Sequence, residues 1–378
     1  MSKKIVVLGA GMVGRTIAKD LATDYKILSA DISDESLSQL KNISNIQTQK
    51  VNLADENEIK KLIAGTDCVV GAVPGFMGFE TLKTILKNKK QVVDISFFPE
   101  DAFLLDELAK QNSVTAIVDC GVAPGMDNII LGYHNQRMKI ENFECLVGGL
   151  PFERKLPFQY KAPFSPIDVI EEYTRPARLV ENFETVTRPA LTEPEFIHFE
   201  NIGTLESFNS DGLRSILKTM KIKNMKEKTL RYPGHRKAME QLRDMGFFSE
   251  EEISVKGKTI RPIDVAAAIM LPQWKYKTGE EEFTVMRVTV EGNENEKNIS
   301  YTYDLFDQYD KATQTSSMAR TTGFTCTAAV RLLLEKNYSR TGINPPEYLG
   351  EEETHFHFML DELKKRNVIY KMKKEEIL

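Results

Sequence analysis

Cysteine is scarce in this chain. Cys68, Cys120, Cys145 and Cys326 are scattered without a CxxC pair, so neither a disulfide framework nor a zinc cluster is indicated and no metal is expected. No basic tract interrupts a balance of 50 lysines and arginines against 55 acids, and the net charge of −5 argues against nucleic acid as the main partner. No apolar run is long enough to cross a bilayer, and the text opens at once on a strand, which leaves no room for a signal peptide. Internal repeats and low-complexity segments are missing too. These absences predict a reduced, soluble, cytoplasmic protein with no membrane partner, and 378 residues suit two domains, each with its own core.

What is present is organised around residues 4–31. An uncharged run, Ile5-Val6-Val7-Leu8, leads into Gly9, Gly11 and Gly14, then a helical pattern, then a second apolar run ending on Asp31. This is a strand, a glycine turn, a helix and a parallel strand, the start of a nucleotide-binding Rossmann domain. Gly9 allows the tight turn, Gly11 admits a pyrophosphate, and Gly14 lets the helix pack on the sheet. The turn Gly9-Ala10-Gly11-Met12-Val13-Gly14 then presents the N–H groups and positive dipole end of the helix to phosphates. Asp31, about twenty residues on, is placed to accept a hydrogen bond from the adenine ribose 2′-hydroxyl and to repel a 2′-phosphate. NAD is therefore the expected cofactor, in preference to NADP.

Strand and helix continue to alternate: strands at 46–51, 67–73, 91–95 and 114–118, helices at 56–64, 79–87 and 100–110. Six strands in all complete a doubly wound parallel sheet over residues 1–122, the NAD-binding domain. Small residues Ala72, Val73 and Pro74 suit a backbone passing beside the dinucleotide. The strand ends place Asp94, Ser96, Asp119 and Gly121 near the nicotinamide.

Beyond a turn-rich segment at 119–128, residues 123–314 read as an α+β substrate-binding and dimerisation domain with a largely antiparallel sheet. The pair 282–291 and 298–305, joined by a turn at Gly292-Asn293, is its best-marked hairpin. Residues 315–378 turn helical again and are expected to pack back on the first domain, with a solvated Lys/Glu-rich tail from Lys371. His355 and His357 alternate as a metal chelate on a strand would, but they fall in a helical pattern, where a two-residue spacing puts them on different faces. Cys120 reads as a small buried thiol rather than a nucleophile.

Four blocks, GVAPGMDN at 121–128, VGGLP at 147–151, YKAPFSP at 160–166 and TLRYPGH at 229–235, follow the glycine turn in order. With them the chain resembles the saccharopine dehydrogenase-like family, closest to its L-lysine 6-dehydrogenase branch. Glutamate-forming saccharopine dehydrogenases usually carry an acid where this sequence has Ala123, which favours the lysine branch. The resemblance implies NAD-dependent oxidation at the ε-carbon of L-lysine, with ammonia release and cyclisation to Δ1-piperideine-6-carboxylate. It also implies a small amino acid as substrate and, by analogy, a homodimer. The first alternative is a glutamate-forming saccharopine dehydrogenase. A further one is a polyamine-type member of the homospermidine or carboxynorspermidine kind, or an NAD-binding module without turnover.

For that chemistry the planar forks of Arg214 and Arg231 are candidates for a substrate carboxylate, Asp211 for the ammonium, and Tyr232 lies in the same block as Arg231. His235 is the attractive acid/base residue because imidazole titrates near working pH. Asp94 and Asp119 are rival bases, and the choice among the three stays open.

Overall fold

The computed structural model describes residues 3–162, 166–277, 279–336 and 338–377. The centre of the 160–166 block therefore lies outside the described residues. Two compact units result: Met1–Gln136 with Ala319–Ile369, and Arg137–Met318 with Tyr370–Leu378.

The first unit opens β1 (Lys4–Leu8), α1 (Met12–Leu21), β2 (Lys26–Asp31), α2 (Asp34–Ser38), β3 (Ile46–Lys50), α3 (Glu56–Leu62) and β4 (Cys68–Gly71). It continues with α4 (Gly75–Lys87), β5 (Gln91–Asp94), α5 (Asp106–Gln111), β6 (Thr115–Ile117) and α6 (Met126–Asn135). The central strands are short and apolar because both sheet faces are covered, as in β4, where all four residues are buried, whereas the edge strand β3 is polar and largely exposed. Polar caps start the helices: Ser33 accepts from Ser36 N–H and Asp55 from Asn57 N–H.

The second unit contains β7 (Lys139–Pro151), α7 (Pro166–Thr174), β8 (Ala177–Glu181), β9 (Glu184–Arg188), β10 (Glu195–Phe199), β11 (Gly203–Asn209), α8 (Ile216–Thr219) and β12 (Asn224–Arg231). There follow α9 (His235–Asp244), β13 (Ile253–Val255), β14 (Lys258–Ile260), α10 (Pro262–Trp274), β15 (Glu282–Glu294) and β16 (Lys297–Gln308). The chain then runs through α11 (Ser317–Glu335), β17 (Gly342–Asn344), α12 (Pro346–Gly350), α13 (Glu353–Lys365) and β18 (Tyr370–Glu376).

The first sheet is parallel throughout, in the order β17-β6-β5-β4-β1-β2-β3. It has seven strands where the sequence suggests six, because the return segment adds β17 beside β6. Three residues are too few for alternation to reveal a strand. The return segment is fastened to α1 by a buried ion network. Arg331 on α11 reaches Asp20 at 2.8 Å and Asp24 at 2.7 Å, and Arg366 donates to Asp20 at 2.6 Å and Glu362 at 2.9 Å.

The second sheet is mixed and largely antiparallel, in the order β10-β11-β12-β7-β15-β16-β18, with β8 on β12 and β9 on β8. Among the described residues only β12 and β7 run parallel in it. A core cluster joins its strands to α7, α9 and α10 through Leu146, Phe208, Tyr173, Met239, Met270 and the single tryptophan, Trp274.

Two sequence expectations are corrected here. Gly292 and Asn293 lie inside β15, at a bulge after Glu291, and the turn falls at Asn295-Glu296, both with positive φ. A Cβ at Gly292 would come within 2.1 Å of Lys139 O, so close strand approach explains that glycine. The tail from Lys371 is an edge strand, β18, paired with β16. Its side chains stay exposed while its backbone is bonded, so its composition looks like a solvated end.

Candidate functional site

Strand order places β1 between β2 and β4, so the crevice of this doubly wound sheet lies at the carboxyl ends of β1 and β4. Gly9 turns off β1 with φ +107°, and a Cβ there would sit 2.3 Å from Ala72 O. At Gly14 a Cβ would strike Gly9 O at 2.1 Å, which explains the close seat of α1. At Gly11 the result is the opposite: an added Cβ meets nothing within 4 Å. Gly11 starts α1 and contributes no side-chain hydrogen bond to it. That open cradle at a helix N-terminus fits a pyrophosphate.

Asp31 stands at the carboxyl end of β2. Its Oδ2 accepts from Ala10 N–H at 2.6 Å and its Oδ1 from Ser33 N–H at 2.8 Å. Two N–H groups fix the carboxylate, and its remaining lone pairs can accept ribose hydroxyls. Ser33 was not foreseen as part of the site; its signal is its position two residues past a strand-terminal Asp, the spacing of an Asx turn.

Ala72, Val73 and Pro74 lead from β4 into α4, and Ala72 N–H bonds Leu8 O at 2.9 Å. Gly121 is buried, and its N–H is engaged with Pro124 O at 3.0 Å, so it has no spare backbone donor for a cofactor. Asp94 at the end of β5 is fully buried and accepts from Ser96 N–H at 2.8 Å. Asp119, just beyond β6, is buried in a left-handed turn with φ +52°. Both acids stand at the strand ends where sequence places them, with Asp94 holding the following turn. A further buried acid, Asp127, accepts from Gly125 N–H at 2.9 Å. Burial, with Glu347 adding repulsion, pushes its carboxyl up from the usual range. It lies within the GVAPGMDN block, where an Asp at the second helical position is also an ordinary helix-start residue, so its text carries no distinct signal.

The second unit corrects most of the substrate candidates. His235 is 1 % exposed. Its Nδ1–H donates to Phe158 O at 2.8 Å and its Nε2 accepts from Tyr173 O–H at 2.9 Å. The tautomer follows because a carbonyl can only accept. Burial, and then the nearby Arg231 charge, lower its pKa from 6.5 to about 3. A neutral imidazole with both nitrogens engaged is a core residue, not an acid/base group. Arg231 is 2 % exposed, donates to Leu230 O at 2.9 Å and pairs with Glu172 at 2.5 Å. Its charge is neutralised inside the unit, with its guanidinium 4.4 Å over the Tyr160 ring.

Tyr232 donates to Pro151 O at 2.9 Å. Asp211 is taken by Arg178 through a bidentate pair at 2.8 and 2.9 Å. Arg214 is half-buried, at φ +49°, and remains the arginine candidate. The network of Tyr160, Glu172, Tyr173, Arg231 and His235 could not be read from sequence, since its members lie up to 75 positions apart.

Among the described residues the thiols give no nucleophile. All four cysteines are buried, and Cys120 is pushed far above its ordinary value by burial and then by Asp119 and Asp94. His355 and His357 lie on α13 as expected, with His355 half-buried against Tyr338 and His357 near Glu353.

Comparison with known proteins places this geometry. Residues 5–117 match the family model described as saccharopine dehydrogenase NADP binding domain, and residues 121–369 the saccharopine dehydrogenase C-terminal domain. The chain belongs to the saccharopine dehydrogenase family. Within that family it is 26 % identical over 268 residues to the saccharopine dehydrogenase [NADP(+), L-glutamate-forming] of Pyricularia oryzae, covering 66 % of this chain and 59 % of the relative. It is 25 % identical over 308 residues to the alpha-aminoadipic semialdehyde synthase of Arabidopsis thaliana, covering 69 % of this chain and 28 % of that protein. The chain thus spans less than two thirds of the length of these curated relatives. The solved apo saccharopine dehydrogenase (L-Glu forming) of Saccharomyces cerevisiae shares the fold, with a TM-score of 0.80, 18 % identity and full coverage of both chains. No described helix is long and apolar enough to cross a membrane.

Proposed function

We propose that the chain is an NAD-dependent dehydrogenase that oxidises the secondary amine of saccharopine, yielding L-glutamate and 2-aminoadipate semialdehyde. The observation that carries the dehydrogenase reading is the open cradle at Gly11 beside the fixed carboxylate of Asp31. A bound nicotinamide supplies a hydride acceptor. N–H groups of the α1 first turn would hold its pyrophosphate, and Asp31 would accept ribose hydroxyls. Asp119, just beyond β6, is the proposed acid for proton transfer, since Asp94 and His235 are both enclosed.

The choice of saccharopine rests on the names of the relatives, which favour it over the lysine expected from sequence. The oxidation of L-lysine stays as a second reading for one reason, Ala123 in the turn where glutamate-forming members usually carry an acid. The preference for NAD departs from the NADP in the family description and in the relative's name. Support for it is local: β2 ends on Asp31 and is followed by Asp34 and Glu35, and Lys50 is already paired with Asp34. A 2′-phosphate at this strand end would meet the Asp31 carboxylate.

The experiment is formation of reduced nicotinamide with saccharopine and with L-lysine, each offered NAD and NADP. Turnover of saccharopine with NAD is the expected result. Turnover of lysine alone reverses the substrate assignment, and a preference for NADP reverses the reading of Asp31.

A further inference from the structure

From Asn209 to Arg214 the chain leaves β11 and turns toward α8, and successive residues of that turn are held by different neighbours. Asn209 N–H bonds Thr192 O at 3.1 Å, and its Nδ2 donates to Thr192 Oγ1 at 3.1 Å. Ser210 Oγ accepts from the Thr229 hydroxyl at 2.9 Å. A Cβ on Gly212 would fall 1.9 Å from Glu227 Oε1, so the backbone there lies directly on that side chain. Leu213 is fully buried. The turn ends on Arg214 at φ +49°, a left-handed backbone that a residue other than glycine keeps only where its surroundings over-determine it.

Asp211 is the charged anchor of the turn. Three N–H groups of Arg178 on β8 converge on its carboxylate: the backbone N–H at 3.2 Å and Nε at 2.9 Å on Oδ1, and Nη2 at 2.8 Å on Oδ2. The Asp211 side chain is 6 % exposed and that of Arg178 46 %. A bidentate fork sets direction as well as distance. It also decides which cation the acid serves. Asp211 stands three residues before Arg214, and an unpaired carboxylate there would compete for that guanidinium.

We propose that Arg178 and Asp211 are a positioning pair for the carboxylate of the substrate. Arg178 pins the turn that orients Arg214, and it withdraws the acid that would compete with the substrate carboxylate. The proposal rests on the reading of Arg214 as the arginine that binds this carboxylate. Asp211, expected from sequence to hold the ammonium, acts instead through its neighbour.

The test compares variants of the full chain in the oxidation of saccharopine, or of L-lysine should that be the substrate, since both carry a carboxylate. Arg178→Ala should raise the substrate KM about tenfold or more while kcat and NAD affinity move less than about twofold, the split expected when a ground-state contact is lost. Arg178→Lys keeps the charge without the fork and should fall between, and it serves in place of an alanine variant that folds poorly. Guanidinium chloride at millimolar concentration should restore the KM of Arg178→Ala, because the Arg178 side chain is half open to solvent; a merely structural defect would not respond. Hydrogen exchange read by mass spectrometry needs no turnover, and amides 209–214 should exchange faster in Arg178→Ala than in the wild type. Unchanged exchange there, or an unchanged KM in Arg178→Ala while Arg214→Met raises it, overturns the positioning pair. A KM indifferent to Arg214→Met removes the arginine reading, and the proposal falls with it.

Discussion

His235 offers the sharpest test, because its burial turns a candidate catalytic group into a pH-dependent element of stability. Its pKa falls from 6.5 to about 3 on folding. The folded state thus binds fewer protons than the unfolded chain between those values. The stabilisation is complete above pH 6.5 and is lost as pH falls toward 3. At 1.36 kcal/mol per pH unit, it declines by about 2 kcal/mol at pH 5 and by about 3 at pH 4, relative to pH 8. The wild-type curve alone would mislead, because Glu282 opposes it. Burial pushes that carboxyl from 4.5 up to about 7, so its contribution weakens as pH rises through the same window. The informative quantity is the difference between wild type and His235→Gln in urea unfolding, followed by the fluorescence of Trp274. That reporter packs 5.4 Å from the Tyr160 ring, itself 5.0 Å from the His235 ring. At pH 8 the variant should be less stable by about 1–3 kcal/mol, for two orphaned partners. The gap should close, and can reverse, by pH 5. A gap constant from pH 8 to 5 refutes the reasoning, as does an imidazole that titrates near 6.5 in the folded protein by NMR.

Other perturbations separate the remaining claims. Gly11→Ala puts a methyl group into the cradle with nothing within 4 Å to strike, so NAD affinity should fall at least tenfold with little change in Tm; an unfolded variant would show that the space is not open. Asp31→Ser, read by isothermal titration, should weaken NAD and strengthen NADP, moving their affinity ratio at least tenfold toward NADP; an unchanged ratio would detach Asp31 from the ribose. Arg331→Met takes the guanidinium from Asp24 while Asp20 keeps Arg366, and should cost about 1–3 kcal/mol in urea unfolding; no measurable loss would mean the network is solvent-screened. Glu282→Gln should remove a contribution that weakens from pH 4.5 to 7, so that stability rises more steeply with pH than in the wild type over that window; an unchanged slope would mean that Glu282 is not its source.

Local chemistry determined the cofactor half of the protein. Glycine spacing, an apolar run and one acid twenty residues on act within a single strand-turn-helix-strand unit, so residues 4–31 could be read as the cradle the structure shows. The family was legible as well, because its four blocks are contiguous strings. The roles of His235, Arg231 and Asp211 were decided by contacts that no spacing encodes. Tyr173, Phe158 and Glu172 reach the first two across 59 to 77 positions, and Arg178 reaches Asp211 across 33. A polar side chain reads the same in sequence whether it faces solvent or is enclosed among such partners, and only tertiary packing removed these groups from water and set their charge. The same distinction governs β17 and β18, whose three residues and charged text carry no strand pattern of their own. Their neighbours β6 and β16 supply the hydrogen bonds that make them strands.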